Sequence, residues 1–283
     1  MTALLLSMLA AAGYGISDFV GGVASRRAHA LQVVIVSYPL SVVAMFLLAL
    51  LVPGSAGAAA LAVGLLSGVF GGIAVLWFYI ALAEGPMSVV SPLTALLVAG
   101  LPLGAGMLLG ERPGPVALCG AALAVIAVVL VSRQEQAAVD ETPVARFTAR
   151  VAWLTVGSGA AFGVYFVTLD QIPVGTGLWP LVASRVSATV VVVLAALVAR
   201  ERPAVGGPAR LATAAAALDV LGNVAFLYAL QAGLLSLVSV IGALYPAWTV
   251  LLARLVLGER TNRTQQAGLV LAALAVGLIA GST

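Results

Sequence analysis

Apolar residues run through this chain in blocks about as long as a bilayer is thick, separated by short polar breaks. A membrane-crossing helix needs about 20 mainly apolar residues. On that ruler the pattern predicts ten spans, at 2–24, 31–52, 58–83, 87–109, 114–132, 151–169, 177–199, 209–232, 235–257 and 265–281. The breaks carry turn and stop chemistry. Arg26-Arg27 ends the first span, Pro53-Gly54-Ser55 the second, and Glu84-Gly85-Pro86 turns after the third. Glu111-Arg112-Pro113-Gly114 and Glu259-Arg260-Thr261-Asn262 end the fourth and ninth. A longer polar stretch, residues 133–150, divides a first unit, 1–132, from a second, 151–283, and reads as a linker. The expected fold is all-α and membrane-integral.

The two units are copies. Ala81–Arg112 and Ala229–Arg260 align without a gap at an offset of 148 and match at 15 of 32 positions. The matches include Gly85/Gly233, Ser88/Ser236, Ser91/Ser239 and the closing Leu-Gly-Glu-Arg. At the same offset Tyr14 falls on Phe162. A half of five spans is odd, so its copy enters the membrane from the opposite side. Inverted five-helix repeats around a central cavity are a transporter architecture.

Composition sharpens this. The chain is 63% hydrophobic and 8% charged with mean hydropathy +1.18, against about 25% charged in soluble domains. Lipid is therefore its solvent. All 13 basic residues are arginine, and ten of them lie in loops 1–2, 5–6, 7–8 and 9–10. The positive-inside rule puts those loops in the cytoplasm and both termini outside. A net charge of +3 placed at membrane edges gives no nucleic-acid footprint. Cys119 sits in an apolar run, reads as a small packed side chain, and excludes an internal disulfide. With a single Cys and a single His, no metal site is expected. The first span lacks a basic leader and reads as a retained helix.

Ionisable groups inside a span cost about 2.5–3.5 kcal/mol at a helix centre and are functional candidates by default. Asp18 lies one turn after Tyr14 in span 1; Arg185 lies in span 7; Asp219 is central in span 8 with Asn223 one turn on. Asp219 serves either a proton, ion or substrate, or a structural partner such as Arg185. Arg185 needs an acidic or carbonyl partner, or holds a substrate carboxylate. Mid-span aromatics, namely Tyr14, Trp77, Tyr79, Phe162, Tyr165 and Tyr245, form the candidate wall of a polar cavity. Glu84, Glu111, Asp170 and Glu259 stand at span ends and read as caps and interface residues. Glycine stripes, Gly64, Gly68, Gly71 and Gly72 in span 3 and Gly100, Gly104 and Gly106 in span 4, read as close-packing faces. Pro39, Pro92, Pro102, Pro180 and Pro246 are expected to interrupt spans.

The chain carries no Walker A, HExxH or GxSxG motif, so neither direct ATP drive nor an enzyme is expected. The repeated A-L-x-x-G, serines and terminal L-G-E-R resemble the drug/metabolite transporter superfamily, and within it the EamA-type permeases. The resemblance spans nearly the whole chain. It implies a ten-helix inner-membrane carrier with a central cavity, alternating access and small-metabolite substrates, often exported amino acids. Tyr245-Pro246 matches the family's residue-plus-proline pattern, whereas Leu97-Val98 stand at the equivalent place in the first copy. Relatives resembling aromatic amino-acid exporters carry an aromatic where Phe162 stands, which implies that Phe162 and Tyr165 line the cavity. Several relatives have cytoplasmic termini, opposite to the arginine count.

The expectation is a monomeric, multi-pass secondary transporter with no cofactor. Its partners are a small-molecule substrate, lipid and a candidate coupling proton or ion. Efflux of cationic drugs and an uncoupled channel are the rivals. On this reading Asp219→Asn cuts transport and leaves folding near normal.

Overall fold

The computed structural model describes residues 1–25, 27–55, 57–85, 87–132, 148–258 and 262–282. The expected polar roles of Arg26, Arg133, Arg146, Glu259 and Arg260, and most of the linker, lie outside these residues. So do the side chains of Ser88, Ser91 and Pro92.

The described residues fold into helices: α1 (Thr2–Ser25), α2 (Ala30–Leu51), α3 (Ala58–Glu84), α4 (Met87–Leu108), α5 (Pro115–Ser132), α6 (Ala149–Asp170), α7 (Trp179–Ala199), α8 (Gly207–Ala232), α9 (Leu235–Gly242), α10 (Tyr245–Leu257) and α11 (Arg263–Gly281). Each end falls within two residues of the hydropathy reading. Eight segments are long and apolar enough to cross a membrane, with Leu235–Leu257 counted as one; α4 and α5 contribute the shorter apolar stretches Leu93–Leu108 and Pro115–Val131.

Span 9 departs from the reading: it is two helices. α9 ends at Gly242, Ala243 and Leu244 form the join, and α10 restarts with Pro246 in its first turn. Proline lacks an N–H, and at the start of a helix that N–H has no intrahelical acceptor to lose. The equivalent helix α4, with Leu97-Val98 at those positions, is continuous. The other prolines do not break their spans. Pro39 lies inside a continuous α2, Pro102 inside α4, and Pro180 in the first turn of α7.

Packing couples the two halves. With α6, α7, α8, α9–α10 and α11 standing for α1 to α5, the main contacts come in exchanged pairs. α1 lies on α8 as α6 lies on α3; α2 lies on α8 as α7 lies on α3; α1 lies on α10 as α6 lies on α4. α5 and α11 face each other, as do α2 and α7. Individual residues repeat this: a Cβ on Gly120 would meet Ile279, and one on Gly268 would meet Val131, each residue 148 from its counterpart.

The glycine stripes divide. Gly64, Gly68 and Gly72 press against Pro180, Ser184 and Ala188 of α7, where a side chain would meet backbone. Gly100 and Gly104 have no neighbour within 4 Å of a Cβ, so the close-packing expectation fails in that part of α4. Cys119 is exposed, because α5 meets α11 through its Ala117, Gly120, Ala121 and Ala124 face instead.

The Leu-Gly-Glu-Arg motif has a local reason in the first copy. Gly110 stops α4 with φ +101°, a conformation that costs glycine little. The Glu111 carboxylate then accepts the backbone N–H of Leu235 at 2.5 Å and of Ser236 at 2.9 Å, capping α9 from the other half. A carboxylate there satisfies two orphan donors and complements the helix dipole.

Candidate functional site

A polar chain crosses the apolar interior where α2, α3, α6, α7 and α8 meet. Arg185 of α7 is buried, and its Nη1 lies 2.8 Å from Oδ2 of Asp219 on α8. Asn223, one turn on, donates through Nδ2 to the Asp219 carbonyl at 2.7 Å and to its Oδ1 at 3.2 Å. The Tyr165 hydroxyl of α6 donates to Asn223 Oδ1 at 2.5 Å, with Ser184 of α7 close by. Ser67 of α3 reaches Ser184 Oγ at 3.1 Å. The Arg185 guanidinium also sits 5.9 Å from the centre of the Tyr38 ring on α2, within cation–π range.

Two charges in this setting are tolerable because they are paired with each other, with Asn223 donating to the Asp219 carboxylate and the Tyr38 ring beside the guanidinium. Of the alternatives open for Arg185 and Asp219, the structure shows the mutual ion pair. Below the pair runs an aromatic stack. Tyr165 lies 5.4 Å from Phe166, Phe166 4.5 Å from Phe226, and Phe226 6.3 Å from Tyr14. A side chain in place of Gly242 would meet Phe226, so the end of α9 is fitted to this stack. The buried Tyr14 hydroxyl has no hydrogen-bond partner among the described residues. It lies within electrostatic reach of Tyr165, Asp219 and Arg185.

Asp18 occupies a different setting. Its neighbours on α1 fix its direction: Ser17 Oγ donates to the Ala215 carbonyl of α8 at 2.9 Å, and Gly15 lies against Tyr245 and Trp248 of α10. The Gly15 carbonyl accepts from Thr249 at 3.0 Å. Asp18 therefore faces the gap between α8 and α10, within electrostatic reach of Tyr79, Tyr245 and Asp219. It is exposed and makes no hydrogen bond or ion pair among the described residues.

The structure thus gathers Tyr14, Asp18, Tyr79, Tyr165, Arg185, Asp219, Asn223 and Tyr245. Phe162 packs at the edge of the core. Trp77 stands apart: it lies over Gly157 of α6 and is 41% exposed. Residues two apart on a helix point about 200° apart, so Trp77 and Tyr79 cannot share one wall. Sequence reasoning missed Tyr38, Ser67 and Ser184. The available signals were a mid-span tyrosine beside Pro39, and a serine next to the intramembrane Arg185.

At the ends of the bundle, Arg150 meets Glu84 through two hydrogen bonds, Nε to Oε2 at 2.8 Å and Nη2 to Oε1 at 3.0 Å. Gln32 and His29 both contact the Glu201 carboxylate, at 2.8 and 3.2 Å, and hold its pKa below the ordinary value by these hydrogen bonds.

Comparison with known proteins bears on this geometry. The model of the EamA-like transporter family matches residues 1–133 and 149–281. No curated protein sequence matches the chain. Among solved structures, one described as "Crystal structure of protein" is similar with TM-score 0.73 and 17% identity, covering 98% of this chain and 95% of that one. That likeness concerns the fold alone.

Proposed function

The chain belongs to the EamA-like transporter family, and on that premise we propose that it is a secondary transporter that exports small metabolites, amino acids first, by alternating access. Its ten spans form two inverted five-helix halves in the inner membrane, with both termini outside. The exchanged helix contacts support the inversion, and the arginine distribution supports the orientation.

The observation that carries the reading is the polar chain from Ser67 to Arg185, built at mid-membrane from helices of both halves. A paired, hydrogen-bonded network of this kind needs a reason to exist in an otherwise apolar bundle, and substrate passage supplies one. The two halves of span 9 support the alternating part. Every residue of α9 is buried, while α10 has none buried. α9 is enclosed and capped by Glu111, whereas α10 is at most partly covered and Asp18 faces the space between it and α8.

Counterflow in liposomes tests the reading: purified protein, unlabelled amino acids or organic cations inside, labelled solute outside. Accelerated exchange with particular amino acids supports an alternating-site carrier. Flux without trans-acceleration means an uncoupled pathway. A second reading, efflux of cationic or lipophilic compounds, gains support from the Arg185–Asp219 pair, which removes the one interior cation among the described residues that would repel such a substrate.

A further inference from the structure

We propose, resting on the carrier reading, that Asp18 is the docking point for an ammonium group, so that the transported molecules are recognised by a primary amine and not by a carboxylate. Charge accounting singles out Asp18. Arg185 is the cation a substrate carboxylate would seek, and Asp219 occupies it at 2.8 Å with Asn223 holding Asp219 in place. Together they contribute no net charge. Asp18 is the carboxylate left over, with no hydrogen bond or ion pair among the described residues.

Its surroundings suit an ammonium group. Tyr79 and Tyr245 lie within electrostatic reach of it, and aromatic side chains beside a carboxylate are a setting in which cations bind. Tyr14, one turn earlier on α1, directs its buried hydroxyl toward Tyr165, Asp219 and Arg185 and so belongs to the ion-pair network rather than to Asp18. An ammonium group has three donors to place, and the two carboxylate oxygens of Asp18 supply acceptors with no competing partner among the described residues. The approach is open as well. At Gly21 and Gly22, the next turn of α1, a Cβ would have no described atom within 4 Å. The gap therefore widens from Asp18 toward the Arg27 end of the helix.

The test uses the purified full-length protein and three probes built on each of several side chains: the amino acid, its decarboxylated amine, and its N-acetyl derivative. Binding is read by titration and by thermal stabilisation. The expected result is binding of amine and amino acid with similar affinity, and at least tenfold weaker binding of the N-acetyl compound. Asp18→Asn should abolish the distinction and lower amine affinity at least tenfold, with the ligand-free Tm unchanged; Asp18→Glu should retain amine preference. Equal binding of the N-acetyl compounds, or undiminished amine binding by a folded Asp18→Asn protein, overturns the assignment. So does counterflow of non-amine solutes without any amine binding, an outcome that leaves the carrier reading standing. Absence of counterflow with every solute removes the carrier reading itself.

Discussion

Arg185 Nη1 and Asp219 Oδ2 are 2.8 Å apart inside the bundle, and each is the other's ionic partner. From sequence alone, Asp219→Asn reads as a transport defect with intact folding. The pair changes that expectation. Removing one member of a buried pair leaves the other charge uncompensated, at a cost of about 3–5 kcal/mol. Asp219→Asn and Arg185→Met should each lower stability strongly, whereas Arg185→Met with Asp219→Leu should recover most of it. Thermal unfolding of the three variants in detergent decides; additive losses in the double variant would mean that the two side chains act independently.

Glu111 accepts two backbone N–H groups at the start of α9. Glu111→Ala should cost about 1–2 kcal/mol, the range for loss of a helix cap, and Glu111→Gln less. Amide exchange at Leu235 and Ser236 should accelerate ahead of the remainder of α8 to α10. Unchanged protection at those two amides would show that the cap is dispensable.

Two glycines from one apparent class should respond with opposite signs. A methyl at Gly68 runs into the Ser184 carbonyl and Ser187 Oγ, so Gly68→Ala should cost about 1–3 kcal/mol by overpacking. At Gly100 a Cβ meets nothing, and Gly100→Ala should gain roughly 0.5–1 kcal/mol from helix propensity. The comparison is a pair of melting curves, and equal shifts would contradict the packing.

Glu201 ties loop 7–8 to α2, with the Ala204 N–H also bonded to the Gln32 carbonyl at 3.0 Å. Hydrogen bonds from Gln32 and His29 lower its pKa in the folded protein. A carboxyl depressed on folding stabilises above its unfolded pKa, and that stabilisation is lost as pH falls through the folded value. Proteolytic nicking of residues 200–206 should therefore rise below the ordinary carboxylate pKa of about 4.3. Glu201→Gln should already be nicked at neutral pH and show a flatter acid response.

The orientation is open to a direct check. A reporter fused after Thr283 should read as external if the arginines set topology. A cytoplasmic signal would reverse the whole assignment of sides, including the side toward which the Asp18 gap opens.

The helices and the duplication were legible because they rest on local chemistry repeated along the chain. Apolar length sets a span, and arginine, proline and glycine end it. Of the repeated Leu-Gly-Glu-Arg, the glycine stops a helix in both halves, Gly110 after α4 and Gly258 after α10, and in the first copy the carboxylate caps the start of α9. The candidate polar residues were also legible, because charge in an apolar run stands out. Tyr38, Ser67 and Ser184 did not stand out, since a tyrosine or serine is unremarked until a partner is near.

Sequence by itself determined that the chain is helical, that its helices are long and apolar, that it is built twice, and which interior side chains carry charge. Only the tertiary structure decided which of those charges cancel. Whether Arg185 meets Asp219 or Asp18 depends on how α7, α8 and α1 are rotated against each other, and hydropathy does not encode rotation. The same holds for Trp77, which packs over Gly157 away from Tyr79, and for the broken span 9, where a proline acts as a helix start and the residues before it stay buried against the opposite half. A buried ion pair offsets its desolvation only when its hydrogen-bonding geometry is good, and that geometry is set by packing between segments far apart in the chain.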